Sequence, residues 1–304
     1  MSHALLLATR ELSKRFGKRL VVDDLNLEVH KGDIFGFLGP NGAGKSTTIK
    51  MLFGLVRPTS GKIEIFGHPL SASRKRALKR VCGIVEQPDF YLQLSARKNL
   101  EILGVLSGGI RKERIAQVLD LVRLNGQAND KVKTFSHGMK QRLGIAQALL
   151  SEPELIILDE PTTGLDPQGM KEVRELIARL SEEEGITILL SSHLLHEIEQ
   201  TATRMAIIHQ GQLIVQGEVH ALLKDLKEDV VIVKAAPLDD AARLLKGQDW
   251  VSSLSMENDG MEVRLASGSV ADMNAFLVQN NIRVSAIIPK RSLEDYFLSI
   301  TENA

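Results

Sequence analysis

Apolar residues along the chain fall into two rhythms. DIFGFLG (33–39), LIILD (155–159), ITILLSS (186–192), RMAIIHQ (204–210) and QLIVQG (212–217) are short dense runs bounded by turn residues, the pattern of strands buried on both faces. Helix-periodic segments of crossover length lie between several of them, so the pattern predicts an α/β core built on a mainly parallel sheet. Residues 4–9, LVVDDLNLEV (20–29) and KIEIFG (62–67) alternate apolar with polar positions and predict an antiparallel β subdomain against that core. Residues 94–150 carry almost no β-like run and read as a helical subdomain.

Beyond residue 224 the order changes. VVIVKA (230–235), helical LDDAARLL (238–245), WVSSLSM (250–256), MEVRLA (261–266), helical ADMNAFLVQ (271–279) and RVSAIIP (283–289) spell βαββαβ, a small ferredoxin-like α+β domain. In RSLEDYFLSIT, Leu293, Phe297 and Ile300 stand at helical spacing with Ser292 as cap, which predicts a closing helix. The expected organisation is one large domain over 1–224 and an accessory domain over 225–304, with no internal repeat.

Charge and cysteine usage narrow the setting. Thirty-eight basic and 38 acidic residues cancel, so no global field draws the chain to nucleic acid. RKRALKR (74–80) has no interleaved aromatic and reads as a solvated helix face. The single cysteine, Cys82, forms no internal disulfide; it suits a reducing cytoplasm and reads as a buried structural thiol. The apolar run ALLLA near the N-terminus is too short for a signal or a span, and no later run approaches about eighteen residues. A soluble, cytoplasmic chain is expected.

The sharpest chemical signal directly follows the first dense strand. Gly39, Pro40, Asn41, Gly42, Ala43, Gly44, Lys45, Ser46 and Thr47 spell GPNGAGKST, the G-x-x-x-x-G-K-[ST] phosphate loop, with strand before and helix after. Its glycines let backbone N–H groups converge on phosphate oxygens, Lys45 reaches the β- and γ-phosphates, and the Ser46 hydroxyl suits Mg²⁺. LIILDE adds the hydrolytic part. Asp159 at the strand tip suits Mg²⁺ through water, and Glu160 is placed to orient or deprotonate an attacking water. A second candidate anion site lies in TFSHGMKQR (134–142), where Ser136 and Gly138 open a helix-periodic segment.

Over roughly residues 4–224 these motifs resemble the ATP-binding subunit of ABC transporters, and they stand in that family's order. GPNGAGKST looks like Walker A, LIILDE like Walker B with its glutamate, TTGLD like the D-loop around Asp166, and SSH like the switch histidine at His193. Phe16 in SKRFGKR lies where the family stacks an aromatic on adenine. TFSHGM is similar to the signature loop, so the resemblance implies that Ser136, His137 and Gly138 bind the γ-phosphate of ATP held by another subunit. It implies a homodimer, or a pair with a sister ATPase, around two MgATP. A separate polytopic membrane permease would complete the machine, with this chain peripheral on the cytoplasmic face of the membrane.

Departures from the common pattern point to a branch. His137 and Met139 in the signature, and the SLEDYFLSIT tail, resemble exporters of the bacitracin-resistance and lantibiotic-immunity type. For His137 two readings stand side by side, a sensor of the incoming phosphate and a ring turned aside from it. The Q-loop position is Gln87 by counting and Glu86 by its Pro88 and Phe90-Tyr91 context; either side chain suits Mg²⁺ or the lytic water. The rival reading is a soluble ATPase of the same class acting on ribosomes, DNA or a motility or surface-assembly machine. Only one ATPase half is present, and about ninety residues separate Lys45 from Ser136, too few for a long inserted coiled coil.

Overall fold

Chain order in the first unit begins with β1 (Leu5–Phe16), β2 (Arg19–Leu25), β3 (Glu28–His30), β4 (Ile34–Leu38), α1 (Lys45–Leu52), β5 (Ser60–Ile65), β6 (His68–Pro69), α2 (Leu70–Ala77) and β7 (Val81–Ile84). A helical stretch follows, α3 (Ala96–Leu106), α4 (Lys112–Leu121) and α5 (His137–Leu149). The unit ends with β8 (Leu155–Leu158), α6 (Pro167–Glu182), β9 (Thr187–Ser192), α7 (Leu195–Thr201), β10 (Arg204–His209) and β11 (Gln212–Glu218). The computed structural model describes residues 4–86, 88–106, 109–224, 229–257, 260–266 and 269–289. Gln87 and the segment 290–304, which holds the expected closing helix, lie outside the described residues.

Six strands form the main sheet in the order β11-β10-β4-β9-β8-β7. From β10 to β7 every pair is parallel, and β11 returns antiparallel along β10. Strands β4, β8 and β9 are buried along their whole length, which is why they read as unbroken apolar runs. Their parallel order has one consequence for chemistry. The segments after β4, β8 and β9, far apart in sequence, leave neighbouring strands at the same, carboxyl edge of the sheet.

A second sheet is antiparallel, with β1 paired to β2, β3 and β5, and β6 beyond β5. The stretch 20–29, continuous by pattern, is broken into β2 and β3. Thr9 holds the break: its buried hydroxyl donates to the Leu25 carbonyl at 2.8 Å and accepts the Leu27 N–H at 2.8 Å. Side chains of both sheets, among them Leu7, Leu12, Phe35, Phe37 and Ile157, share one core. In the helical stretch the free carbonyls after α4 are capped by arginines of two other helices. Arg142 of α5 donates to Val122 and Arg123, and Arg179 of α6 to Leu121.

Two local expectations change. RKRALKR is not a uniformly solvated face: Arg80 stacks over Phe66, 4.0 Å from the ring centroid, and pairs with Glu154 at 2.6 Å. Cys82 is only half-buried, its Sγ 2.9 Å from the Ser151 hydroxyl. Strand β7 carries no signal in the apolar pattern because Gly83 interrupts it.

The backbone divides between Val219 and His220. After a short helix α8 (Val219–Lys224) the second unit runs β12 (Asp229–Ala236), α9 (Leu238–Lys246), β13 (Val251–Glu257), β14 (Gly260–Leu265), α10 (Val270–Gln279) and β15 (Arg283–Pro289). Its antiparallel sheet has the order β13-β14-β12-β15, the ferredoxin-like arrangement. Val231, Val233, Met261, Val263 and Leu265 alternate onto one face and meet Ala241 and Leu245 of α9 and Met273 and Leu277 of α10. Trp250 packs edge-on against Phe276, with centroids 5.7 Å apart. Ser269 and Asp272 close a capping box at the start of α10, and the Ser269 hydrogen bonds hold the Asp272 carboxyl below its ordinary value.

Gly83 is confined by its neighbour strand. A Cβ there would stand 1.9 Å from the Ile157 carbonyl oxygen of β8. Gly83→Ala should therefore lower the unfolding free energy of the larger unit by about 3 kcal/mol, at the upper end of overpacking effects. Denaturant titration with and without the substitution measures it.

Candidate nucleotide site

The loop after β4 is held tight by backbone contacts. A Cβ at Gly39 would stand 2.5 Å from the Ile208 carbonyl oxygen, and Gly44, at φ +107°, would place one 2.8 Å from that of Val21. Only glycine fits either position. Lys45, 4% exposed, folds back into this loop and donates to the Gly39 carbonyl at 2.7 Å and the Pro40 carbonyl at 3.3 Å. Ser46 and Thr47 follow in the first turn of α1, with Ser46 exposed.

Lys45 also faces the acidic pair. Its Nζ lies 3.2 Å from Glu160 Oε1, while Glu160 Oε2 lies 3.0 Å from His193 Nδ1 and accepts the Thr163 hydroxyl at 2.8 Å. The order β4-β9-β8 produces this meeting: Lys45 follows β4, His193 follows β9, and Glu160 follows β8. Burial pushes the Glu160 carboxyl up. The Thr163 hydroxyl, the Lys45 ammonium and His193 outweigh it and hold the group below its ordinary value, so it is ionised at neutral pH and able to accept a proton.

Ser191, the penultimate residue of β9, joins both acids. Its hydroxyl donates to Asp159 Oδ1 at 2.7 Å and accepts the Glu160 N–H at 2.8 Å. Neither Ser191 nor Thr163 stands out in the sequence as a site residue; a serine in an otherwise apolar run, in the strand beside the acid pair, was the available signal. The Ser46 hydroxyl and Asp159 carboxylate are hard oxygen donors, the kind Mg²⁺ takes in small number while keeping water and phosphate oxygens. Among the described residues there is no cluster of three or more His, Cys, Asp or Glu side chains that could hold a metal ion.

The second anion candidate is built elsewhere in the unit. Ser136 caps α5, its hydroxyl accepting the Met139 N–H at 3.2 Å. Asp166 caps α6, accepting the Gly169 N–H at 3.2 Å. His137 Nδ1 lies 3.1 Å from the Gly164 carbonyl oxygen, so the imidazole is turned toward the loop that follows Glu160. Gly138 and Gly169 let the two helix starts approach, each glycine's Cβ position lying within 4 Å of the other's Cα. Among the described residues no hydrogen bond or ion pair joins Ser136, His137 or Gly138 to the 39–47 loop.

Glu86 and Phe16 lie at the surface. The Glu86 carboxylate pairs with Lys50 of α1 at 2.7 Å, and that hydrogen bond and charge hold it below its ordinary value. In this structure it is engaged by α1; Gln87 lies outside the described residues. Pro88 packs onto α5 at Gly144, where a Cβ would stand 2.9 Å from its Cγ. Phe16 is 50% exposed at the end of β1, with Lys14 Nζ 4.8 Å from its ring centroid, so it is not a core side chain.

Comparison with known proteins places relatives beside this chain. The profile of the ABC transporter family matches residues 22–163. The bacitracin transport ATP-binding protein BcrA of Bacillus licheniformis is 44% identical over 298 residues, 97% of this chain and 97% of its own length. The lantibiotic transport ATP-binding protein SrtF of Streptococcus pyogenes is 42% identical over 213 residues, 70% of this chain and 91% of its own. A solved ATP-binding subunit of an ABC transporter superposes with a TM-score of 0.63 at 32% identity, covering 72% of this chain and 92% of that one.

Removing the Ser191 hydroxyl takes a partner from two part-buried groups at once, Asp159 Oδ1 and the Glu160 N–H. Ser191→Ala should cost about 1–3 kcal/mol of stability in the larger unit, measured by chemical denaturation against the parent chain.

Proposed function

The chain belongs to the ABC transporter family as an ATP-binding, ATP-hydrolysing subunit, and from that membership we propose how its residues divide the work and what it drives. The backbone N–H groups of Gly39, Asn41, Gly42, Ala43 and Gly44, in the loop shaped with Pro40, together with Lys45 and Thr47, cradle the β- and γ-phosphates. The Phe16 ring stacks on the adenine. Ser46 and Asp159, with Glu86 or Gln87, hold Mg²⁺, which when bound neutralises charge on the phosphate oxygens. Glu160 orients the attacking water and takes its proton. The observation that carries this assignment is the ionised Glu160 carboxylate held between Lys45, Thr163 and His193. His193 keeps that carboxylate aimed through the same contact.

Ser136, His137 and Gly138 serve the γ-phosphate of a second subunit, at the N-terminus of α5. Supporting this is their separation from the 39–47 loop of their own chain. Two copies, or this chain and a sister subunit, then enclose two MgATP, with Asp166 beside the junction. ATP favours the closed pair because it contacts both subunits, and loss of the γ-phosphate removes those contacts.

The pair drives a separate polytopic membrane partner from the cytoplasmic face. Among the described residues no helix is long and apolar enough to cross a membrane. Export of an antibiotic-, peptide- or lipid-type substrate is the reading supported by the bacitracin and lantibiotic relatives. For the C-terminal domain, residues 225–304, the proposed role is subunit contact or regulation.

Glu160→Gln tests the assignment. Turnover should fall about 100-fold or more, while ATP still binds and shifts the chain to a dimer on sedimentation. Captured with ATP and Mg²⁺ from gently solubilised cells, the variant should bring a polytopic membrane protein with it. Recovery of ribosomes or DNA-bound factors without one would contradict the transporter role.

A further inference from the structure

Glu197 is a buried acid that no step above uses. It is the third residue of α7 and 4% exposed, and its Oε1 is buried without a hydrogen-bond partner. Its Oε2 accepts the Thr162 hydroxyl at 2.6 Å and lies 3.1 Å from the Ser192 hydroxyl. Both partners are buried as well. A carboxylate sealed in with one oxygen unsatisfied costs stability that an apolar side chain of like size would not. The first turn of a helix favours an acid, but an exposed one serves that purpose. Packing alone therefore gives no reason for an acid at this place.

Its neighbours supply one. Thr162 stands two residues after Glu160 and next to Thr163, whose hydroxyl holds Glu160 Oε2. Ser192 directly precedes His193, whose Nδ1 meets that same Glu160 oxygen, and the Ser192 hydroxyl also takes the Leu194 N–H at 3.0 Å. The ladder between β8 and β9 ends at Leu158 and Leu190, although β9 stays paired with β4 through Ser192. Beyond that ladder the Ser191 hydroxyl bridges to Asp159 and the Glu160 N–H, and Glu197 Oε2 adds a second tie, from the far side of Glu160 to the residue before His193.

We propose that Glu197 is a positioning residue that clamps the loop after β8 to the loop after β9 through Thr162 and Ser192, and so sets the spacing of Glu160 and His193. The inference rests on the assignment of those two residues to ATP hydrolysis.

In the full-length chain, Glu197→Met removes the clamp and the buried charge at nearly constant volume. The expected result is a kcat lowered on the order of 10- to 100-fold, with KM for ATP kept, because Lys45 and the 39–44 loop are untouched, and with a melting temperature equal to or above the parent's. Glu197→Gln keeps one acceptor oxygen and should restore most of the rate. Thr162→Val should match the Glu197→Met loss, and the double variant should lose no more. A folded Glu197→Met chain with parental kcat overturns the clamp, as does a loss that follows lowered thermal stability or appears only in KM. Should Glu197→Met fail to fold, Thr162→Val decides between the same outcomes. Glu160→Gln run in parallel separates the two levels: full turnover in that variant would sink the Glu160 assignment itself, whereas its loss beside an active Glu197→Met sinks only the clamp.

Discussion

Glu160 is held by charge and hydrogen bonds from three directions, and most of the larger unit can be understood as what brings those groups together. An ammonium from the β4 loop, a hydroxyl from its own loop and an imidazole from the β9 loop converge on one carboxylate. The residue itself adopts φ +48°, a left-handed conformation that costs about 1–3 kcal/mol at a non-glycine position. Such a conformation persists only when its surroundings determine it. Here the Glu160 N–H is pinned to Ser191 and the side chain to its three partners, so strain and electrostatics are settled in the same few bonds.

The parallel sheet makes this possible. With β9 lying between β4 and β8, a phosphate loop, an acid pair and a histidine from opposite ends of the chain emerge at one edge. Buried strands of Leu, Ile and Phe give that edge rigidity, and hydroxyl residues at the strand ends, Ser191 and Ser192, give it polar anchors. The apolar core and the polar site are thus consecutive stretches of the same strands.

A different logic governs the second candidate anion site. Ser136 and Asp166 cap neighbouring helices, His137 meets the Gly164 carbonyl, and glycines 138 and 169 allow the close approach. This places the start of α5 against the loop that leads out of Glu160. Under the proposed division of work, chemistry in one nucleotide site and contact with another would be mechanically adjacent within one chain. The C-terminal unit contributes a separate core of its own, closed by Trp250 and Phe276 and by the alternating Val and Met positions of its sheet.

Much of this was legible in the residues. Unbroken apolar runs located β4, β8, β9 and β10, because a strand covered on both faces has no polar positions to interrupt it, and the βαββαβ order of the smaller unit followed from its alternation. The phosphate loop and the acid pair were legible because their chemistry depends on local spacing. What the one-dimensional pattern lacked were features whose reason lies on another strand. β7 hides behind Gly83, whose missing side chain is explained only by the β8 carbonyl beside it; the break after β2 is held by Thr9; and the pairing of Glu86 with Lys50 joins residues 36 positions apart. The sequence by itself determined most of the elements and which motifs are candidates for phosphate chemistry, since both depend on residues near one another in the chain. Only the tertiary structure decided which side chains meet, Ser191 with both acids and Glu197 with Thr162 and Ser192, because strand order and the geometry of sheet ends set those distances.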